Sequence, residues 1–434
     1  MAVFGITDGI ARGIEGVQAS VSGMLFEPVL RLGVTGLSRA GKTVFITGLI
    51  ANLLNRGRMP QLVAAREGRI ELVHLQPQPD VTLPRFDYEG HMAALTGDMP
   101  RWPDSTRAIS ELRLSFRTRP SGWFSGMRGP QTLHLDIVDY PGEWLLDLSL
   151  MEKSYAVWAE ETLARIECRK EAAGFLAEAR AVDASRRLDE PEAQALARSF
   201  TAYLQAAREA GFSDCTPGRF LLPGDLAGSP VLTFAPLPRP TTAARGSLWR
   251  EMDRRYEAYK DRVVTPFFRD HFARLDRQIV LMDVLGALHQ GPQAVADLRR
   301  TMTEILSAFR VGRSGWLASL LGARRGGEIL FAAPQAGPPH HEQDPPPTAT
   351  AEALLAEAKS RASYAGAEVA AMSIAGLRAT VEERVERYGQ SLPAVRGRLL
   401  ATGRQAVLYP GTLARGPPPG LAPARAGARR RLDA

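Results

Sequence analysis

Cysteine is nearly missing from this chain: Cys168 and Cys215 are the two in 434 residues. Two thiols cannot build a disulfide framework or a four-ligand zinc site, and each is expected to be a buried or half-buried free thiol in a reducing compartment. Long apolar runs are absent too, with none near the 18 residues that a membrane-spanning helix needs. The N-terminus lacks the basic start and long apolar centre of a secretory leader, so a cytoplasmic location is predicted. Histidines are few, and His74, His134, His289 and the His340-His341 pair show no metal-ligand spacing. No Ser-His-Asp or Cys-His arrangement can be argued, and there is no internal repeat. The net charge is only +7, and much of the basic excess lies in Arg425, Arg429, Arg430 and Arg431. No nucleic-acid partner is expected from it. What remains is ordinary for a globular chain: 45% hydrophobic and 23% charged residues, with length enough for an α/β core and a second unit.

Against that plain background one stretch stands out. Gly36-Leu37-Ser38-Arg39-Ala40-Gly41-Lys42-Thr43 fits G-x-x-x-x-G-K-[ST]. A mostly apolar run from Val29 to Thr35 reads as a buried strand leading into it. Val44, Phe45, Leu49, Leu53 and Leu54 then recur at helical spacing, with Gly57 as the C-cap. Strand, glycine loop and helix together aim backbone N–H groups and a helix N-terminus at a phosphate. Lys42 would reach the β- and γ-phosphate oxygens, and Thr43 would give its hydroxyl to Mg²⁺.

The rest of the chain reads as an α/β protein of the P-loop NTPase kind, G-domain-like, with a mostly parallel sheet flanked by helices and a large helical insertion. Residues 1–28 carry Ile6, Ile10, Ile14, Val17, Val21 and Leu25 at amphipathic helical spacing, weakened by interspersed glycines. Residues 29–143 and 278–411 form the nucleotide-binding core, and 144–277 the insertion. Residues 412–434 are a disordered basic tail. Within the core, the Pro-rich stretch from Pro77 to Pro103 reads as a long irregular connection. Leu112, Leu114 and Phe116, then Leu133, Leu135 and Ile137, alternate with polar residues as two half-buried strands of a hairpin. One antiparallel strand would thus extend the sheet. Further strands are expected over 278–285, 328–332 and 367–375, and helices over 248–275, 292–309 and 351–362. A proline- and glycine-dense loop over 216–240 is expected to be ordered by packing.

The second constellation, Asp139-Tyr140-Pro141-Gly142-Glu143, closes the hairpin's second strand. D-x-x-G there can hold Mg²⁺ through Asp139 and turn the Gly142 N–H toward a terminal phosphate. Glu143 stands where many switch GTPases place a water-orienting glutamine. It is either a catalytic carboxylate or a solvated glutamate at a helix N-terminus. Thr106, ahead of the hairpin, is the candidate hydroxyl for completing the Mg²⁺ shell; a helix or strand cap is its other reading. Lys42, Thr106 and Glu143 are thus the catalytic candidates, with Thr43, Thr106 and Asp139 on the metal.

With these residues in hand the chain resembles the YcjX family, bacterial P-loop NTPases related to the GTPases, from about Leu30 to Gly411. The resemblance rests on the phosphate loop, on Val138-Asp139-Tyr140-Pro141-Gly142-Glu143-Trp144-Leu145, and on Pro217-Gly218-Arg219-Phe220-Leu221-Leu222-Pro223-Gly224-Asp225. Trp102-Pro103-Asp104-Ser105-Thr106 and Leu392-Pro393-Ala394-Val395-Arg396-Gly397-Arg398 add to it. It implies an Mg²⁺-dependent GTP hydrolase tied to stress responses, with an inner-membrane protein partner in some bacteria and a place at that membrane's cytoplasmic side. The chain departs from the family where guanine is read. Pro334-Gln335-Ala336-Gly337 stands in place of Thr-Lys-x-Asp, so no carboxylate meets the guanine N1 and N2 donors, and ATP enters as an alternative substrate. Three functions therefore compete: a nucleoside-triphosphate hydrolase working as a switch, a degenerate nucleotide-binding scaffold, and a kinase, for which no acceptor-site base is evident.

Overall fold

The computed structural model describes residues 27–37, 40–55, 59–104, 108–120, 129–311, 328–335, 352, 355–356, 369–375, 377, 380–387, 390–399 and 402–408. The N-terminal amphipathic segment, the C-terminal tail, Ser38, Arg39, Gly57, Thr106, Ala336 and Gly337 lie outside them, as does most of the helix expected over 351–362.

The architecture is mixed α/β. Strand β1 (Val29–Gly36) leads into helix α1 (Lys42–Leu54). After β2 (Ile70–Gln76) and helix α2 (Tyr88–Thr96) comes the hairpin β3 (Ser110–Thr118) and β4 (Gln131–Asp139). Next come the short α3 (Gly142–Leu146), α4 (Tyr155–Ile166), α5 (Ala173–Ala181), α6 (Glu190–Glu209), α7 (Leu248–Tyr259) and α8 (Thr265–Asp270). The chain returns through β5 (Arg277–Leu281), α9 (Val284–Gln290), α10 (Pro292–Val311), β6 (Glu328–Gln335) and β7 (Val369–Ala375). It ends in β8 (Thr380–Arg387), β9 (Gln390–Arg398) and β10 (Gln405–Leu408).

Seven strands form one sheet in the order β2-β3-β4-β1-β5-β6-β7. All pairings are parallel except the two that β3 makes, so a single reversed strand extends a parallel sheet, as the hairpin pattern predicted. β1 lies at the centre, its Val34 register partner on β4 being Asp139 and its Gly36 partner on β5 being Leu281. Chain direction switches here, since β1 leads toward β2 while β4 returns across β1 to β5. The carboxyl edge beside such a switch is where open α/β sheets bind ligands.

Two apolar layers cover the sheet. One packs Phe45, Ile46 and Ile50 of α1 against Leu112, Leu114 and Ile137. The other runs without a break from Val280, Ile329 and Phe331 of the sheet into the helices between β4 and β5. Those helices carry an aromatic centre in which Trp158 stacks on Tyr256 at 5.0 Å and packs edge-on to Phe234 and Phe200. Their starts follow from local chemistry: Ser154, Asp189 and Ser247 each accept the backbone N–H three residues on, and Pro191 sits in the first turn of α6, where its missing N–H costs nothing. The Thr216–Pro240 loop is ordered by packing, with Phe234, Ala235 and Leu237 buried.

Some expectations need correction. The stretch from Pro77 to Pro103 is not irregular throughout, for α2 occupies Tyr88–Thr96; none of its residues is buried, so no apolar periodicity announced it. β2 had no clear alternation because Leu72 points outward at an edge position. The second sheet, β10-β9-β8, has no sequence signal: β8 carries five arginines and glutamates, β9 is interrupted by Pro393 and Gly397, and β10 has only four residues. α1 ends at Leu54, capped by the Asn55 N–H on the Ala51 carbonyl. Cys215 is buried as expected, but Cys168 is exposed.

Candidate functional site

The carboxyl edge of β1 is built around Lys42. Gly41 caps α1 with φ 69°, a left-handed conformation that glycine adopts without a Cβ penalty, and the turn it makes starts α1 at Lys42. The Ala40 N–H closes the loop on the Leu37 carbonyl at 3.1 Å. Lys42 Nζ then reaches across to the end of β4, 2.8 Å from Asp139 Oδ1, and donates to the Tyr140 carbonyl at 2.8 Å. Both side chains of that ion pair are almost wholly buried, 9% and 2% exposed. The same Tyr140 carbonyl accepts from Thr35 Oγ1 on β1 at 3.2 Å.

Thr43 is buried one residue along, its hydroxyl 3.5 Å from the Asp104 carbonyl. The structure therefore brings the Trp102–Asp104 segment to the start of α1, although Thr106 itself lies outside the described residues. Gly142 is pressed against the loop: a Cβ there would stand 2.3 Å from the Gly36 carbonyl oxygen and 2.8 Å from the Leu37 nitrogen. No side chain fits, so only glycine lets the start of α3 touch the end of β1. Gly36, Leu37, Ala40, Gly41, Lys42, Thr43, Asp139 and Gly142 thus converge, while Ser38 and Arg39 are not described.

Glu143 departs from the reading of a solvated helix N-terminal residue. It is buried, and Arg208 Nη2 on the last turn of α6 stands 3.2 Å from its Oε1. The pair lacks the alignment of a hydrogen bond. A cavity lined by Leu37, Glu143, Leu146, Arg208, Phe212 and Asp283 lies beside it; Lys42, Thr43 and Asp139 are not among its lining residues.

Beyond Glu143 the segment is clamped from outside the sheet. The Pro217–Asp225 stretch, singled out in the sequence without a role, lies directly on it. A Cβ on Gly218 would meet the Glu143 carbonyl oxygen at 2.1 Å. The Gly218 N–H donates to Asp147 Oδ1 at 2.7 Å, and the Tyr259 hydroxyl donates to Asp147 Oδ2 at 2.6 Å. Burial pushes the Asp147 carboxyl up to about 6, with these two donors pulling it back. The Arg219 guanidinium covers the Trp144 ring at 3.2 Å, and Trp144 Nε1–H donates to the Leu222 carbonyl at 3.1 Å. Farther on, Arg169 makes two 2.9 Å bonds to Asp214 and one of 3.2 Å to Asp297 on α10. Burial and the neighbouring Asp214 push the Asp297 carboxyl up from its ordinary value.

Sequence reasoning missed Arg208, Asp147 and the Tyr140 carbonyl. A backbone acceptor leaves no mark in a sequence, and Arg208 is one of many arginines on amphipathic helices. Asp147 could have been suspected as a lone carboxylate inside an otherwise apolar Trp144–Leu150 run. Pro334 and Gln335, where base recognition is expected from the sequence resemblance, end β6, in register with Ile374 and Ala375 of β7. Glu111 is a buried carboxylate outside the site, pushed up by burial and the Asp136 charge.

Comparison with known proteins follows from the same residues. Two curated proteins, each named Ras-like GTPase YcjX, are similar to this chain. The Escherichia coli (strain K12) protein is 36% identical over 396 residues, covering 88% of this chain and 85% of the relative. The Shewanella oneidensis protein is 37% identical over 406 residues, covering 88% and 83%. The model of the YcjX-like family, DUF463, matches residues 30–429. A match spanning the central strand, the Lys42 loop, the clamp and the second sheet places this chain in the YcjX-like family.

Proposed function

We propose that this protein binds a nucleoside triphosphate with Mg²⁺, hydrolyses its terminal phosphate and works as a conformational switch. The reading adopts the P-loop, G-domain-like sheet expected from the sequence and the helical insertion over 144–277. The observation that carries it is the convergence on Lys42: a left-handed glycine, a helix N-terminus, a strand-end aspartate and a contact glycine all meet around one buried ammonium. The names of the relatives, Ras-like GTPase, support the same class of activity.

The donor set suits Mg²⁺, which takes one or two protein oxygens and fills its shell with phosphate and water. Thr43 and Asp139, with Thr106 from the neighbouring segment, are the residues that would hold it, and when bound it neutralises charge on the phosphate oxygens. Lys42 would exchange Asp139 for phosphate oxygens, two anions of like demand, so that entry of nucleotide does not strand a buried cation. The N–H groups at the start of α1 cradle the phosphates, and the Gly142 N–H turns to the terminal one as its contact with Gly36 opens. Glu143 then orients the attacking water. Hydrolysis releases Gly142, and the clamp on residues 143–147 passes the change to the helices between β4 and β5. The output goes to a partner protein in a stress pathway, which we place at the cytoplasmic face of the inner membrane. Among the described residues no helix is long and apolar enough to cross a membrane.

Base recognition is expected to be relaxed, since Pro334-Gln335-Ala336-Gly337 offers no carboxylate to guanine. That same departure favours, as a second reading, a scaffold that holds nucleotide without turning it over. The test is equilibrium binding of labelled GTP and ATP with Mg²⁺, each competed by the other. Comparable affinities are expected. A strong guanine preference would move base recognition to other residues, and binding of neither would leave the scaffold.

A further inference from the structure

We propose that Arg208 is an internal latch on hydrolysis: the insertion's helix α6 holds the Glu143 carboxylate turned away from the Lys42 site, and turnover requires the two to part. The inference rests on the nucleotide-hydrolase reading above. Three observations carry it. Glu143 follows Gly142, the residue pressed on Gly36, so its backbone is already at the phosphate edge. Its side chain, however, is 8% exposed and lines a cavity whose wall includes Leu37 and Arg208 but not Lys42, Thr43 or Asp139. The carboxylate is thus paired with Arg208 of the insertion, while Lys42 is paired with Asp139. Finally, the pair that holds it is built to open. The ions stand 3.2 Å apart out of hydrogen-bond line, and Arg208 is 26% exposed, so water can take over the guanidinium when the carboxylate leaves.

The latch is wired to a distant part of the molecule. Arg208 sits in the last turn of α6, and the chain continues at once into Gly211, whose φ of +94° suits glycine and which faces the Gln290 side-chain amide of α9. Ser213 N–H then donates to Asp297 of α10 at 2.6 Å, and Asp214 grips Arg169. A force on α10 or on the α4–α5 turn thus reaches Arg208 within a few residues of buried, charge-bonded chain. A protein that binds this outer surface and shifts α6 would free Glu143, which gives the insertion control over the rate without touching the nucleotide.

The experiment compares single-turnover GTP hydrolysis and, separately, GTP affinity in wild-type protein, Arg208→Met, Arg208→Lys, Glu143→Ala and the Arg208→Met/Glu143→Ala double variant. Methionine keeps the aliphatic packing of the side chain; lysine keeps the charge. Arg208→Met is expected to raise the hydrolysis rate several-fold at unchanged affinity, Arg208→Lys to keep the slow wild-type rate, and the double variant to match Glu143→Ala alone. A rate that falls or stays level in Arg208→Met, with nucleotide bound, overturns the latch while leaving the hydrolase reading intact. A gain that survives in the Glu143→Ala background overturns it too, because the effect would then not run through Glu143. Failure of wild-type protein to bind nucleotide overturns both readings together, and the separate affinity measurement tells that case apart.

Discussion

Gly142 divides two regions that hold the same stretch of chain by opposite means. On its phosphate side, the Lys42 site is made almost entirely by two short sequence segments at adjacent strand ends, and its key contacts are one buried ion pair and backbone groups. On its other side, residues 143–147 are held by Arg208, Gly218, Arg219, Leu222 and Tyr259, side chains and turns drawn from across the helices between β4 and β5. The first region is rigid because its backbone is in register with the central strands. The second is held because Asp147, Gly218, Tyr259 and Trp144 pair their polar groups inside an aromatic core, the Glu143–Arg208 ion pair alone among these contacts standing out of hydrogen-bond line. A local motif can specify a site, whereas the contacts that clamp the next five residues are spread over the chain with no spacing in common.

The largest effect separates the two regions outright. Lys42→Ala removes the ammonium that pairs with Asp139 and leaves the clamp untouched. Loss of a buried, charge-assisted partner costs about 3–5 kcal/mol, so nucleotide affinity should fall by roughly 10²-fold or more. Calorimetric titration with GTP and Mg²⁺ measures it, and circular dichroism checks that the helices between β4 and β5 remain. An affinity within a fewfold of wild type would mean that nucleotide does not sit at Lys42.

Gly142→Ala and Gly218→Ala form a matched pair, because each drives a methyl group into a carbonyl oxygen, that of Gly36 at 2.3 Å and that of Glu143 at 2.1 Å. Overpacking of this kind should cost each variant about 3 kcal/mol of stability. Their functional effects should part. Gly142→Ala pushes α3 off the loop and lowers nucleotide affinity as well, whereas Gly218→Ala leaves affinity unchanged and alters the hydrolysis rate. Denaturant unfolding beside nucleotide titration reads both, and equal loss of affinity in the two would erase the distinction between the regions.

The same division marks what the sequence made legible. The loop at Gly36–Thr43, the hairpin strands and Asp139–Gly142 could be read because each rests on local pattern: glycine spacing, period-two alternation, a strand terminus. The parallel sheet with one reversed strand followed from them. What escaped depends on tertiary context. α2 has no buried face to impose a helical period, β8 carries charge on both faces, β9 breaks its alternation with Pro393 and Gly397, and Glu143 reads as a solvent glutamate until Arg208 arrives from α6. The Pro217–Asp225 stretch stood out as a string of residues, but its contact with Glu143 and Asp147 is visible only once that stretch is packed on α3.

The smallest effect asks whether the clamp responds to pH. Burial places the Asp147 carboxyl at about 6 in the folded protein, against 3.8 for the free side chain. Between those values the native state keeps a proton that the unfolded chain has released, so the contribution of Asp147 to stability falls as pH rises from about 4 to about 6 and is level above. Asparagine at this position would still accept the Gly218 N–H and could donate to Tyr259, yet it cannot ionise. Asp147→Asn should therefore match wild type near pH 4 and gain on the order of 2 kcal/mol relative to it by pH 7. Urea midpoints across that range measure the difference, with Asp297 and the other carboxylates common to both proteins. Parallel profiles would mean that Asp147 stays ionised throughout, held by its two donors strongly enough to cancel its burial.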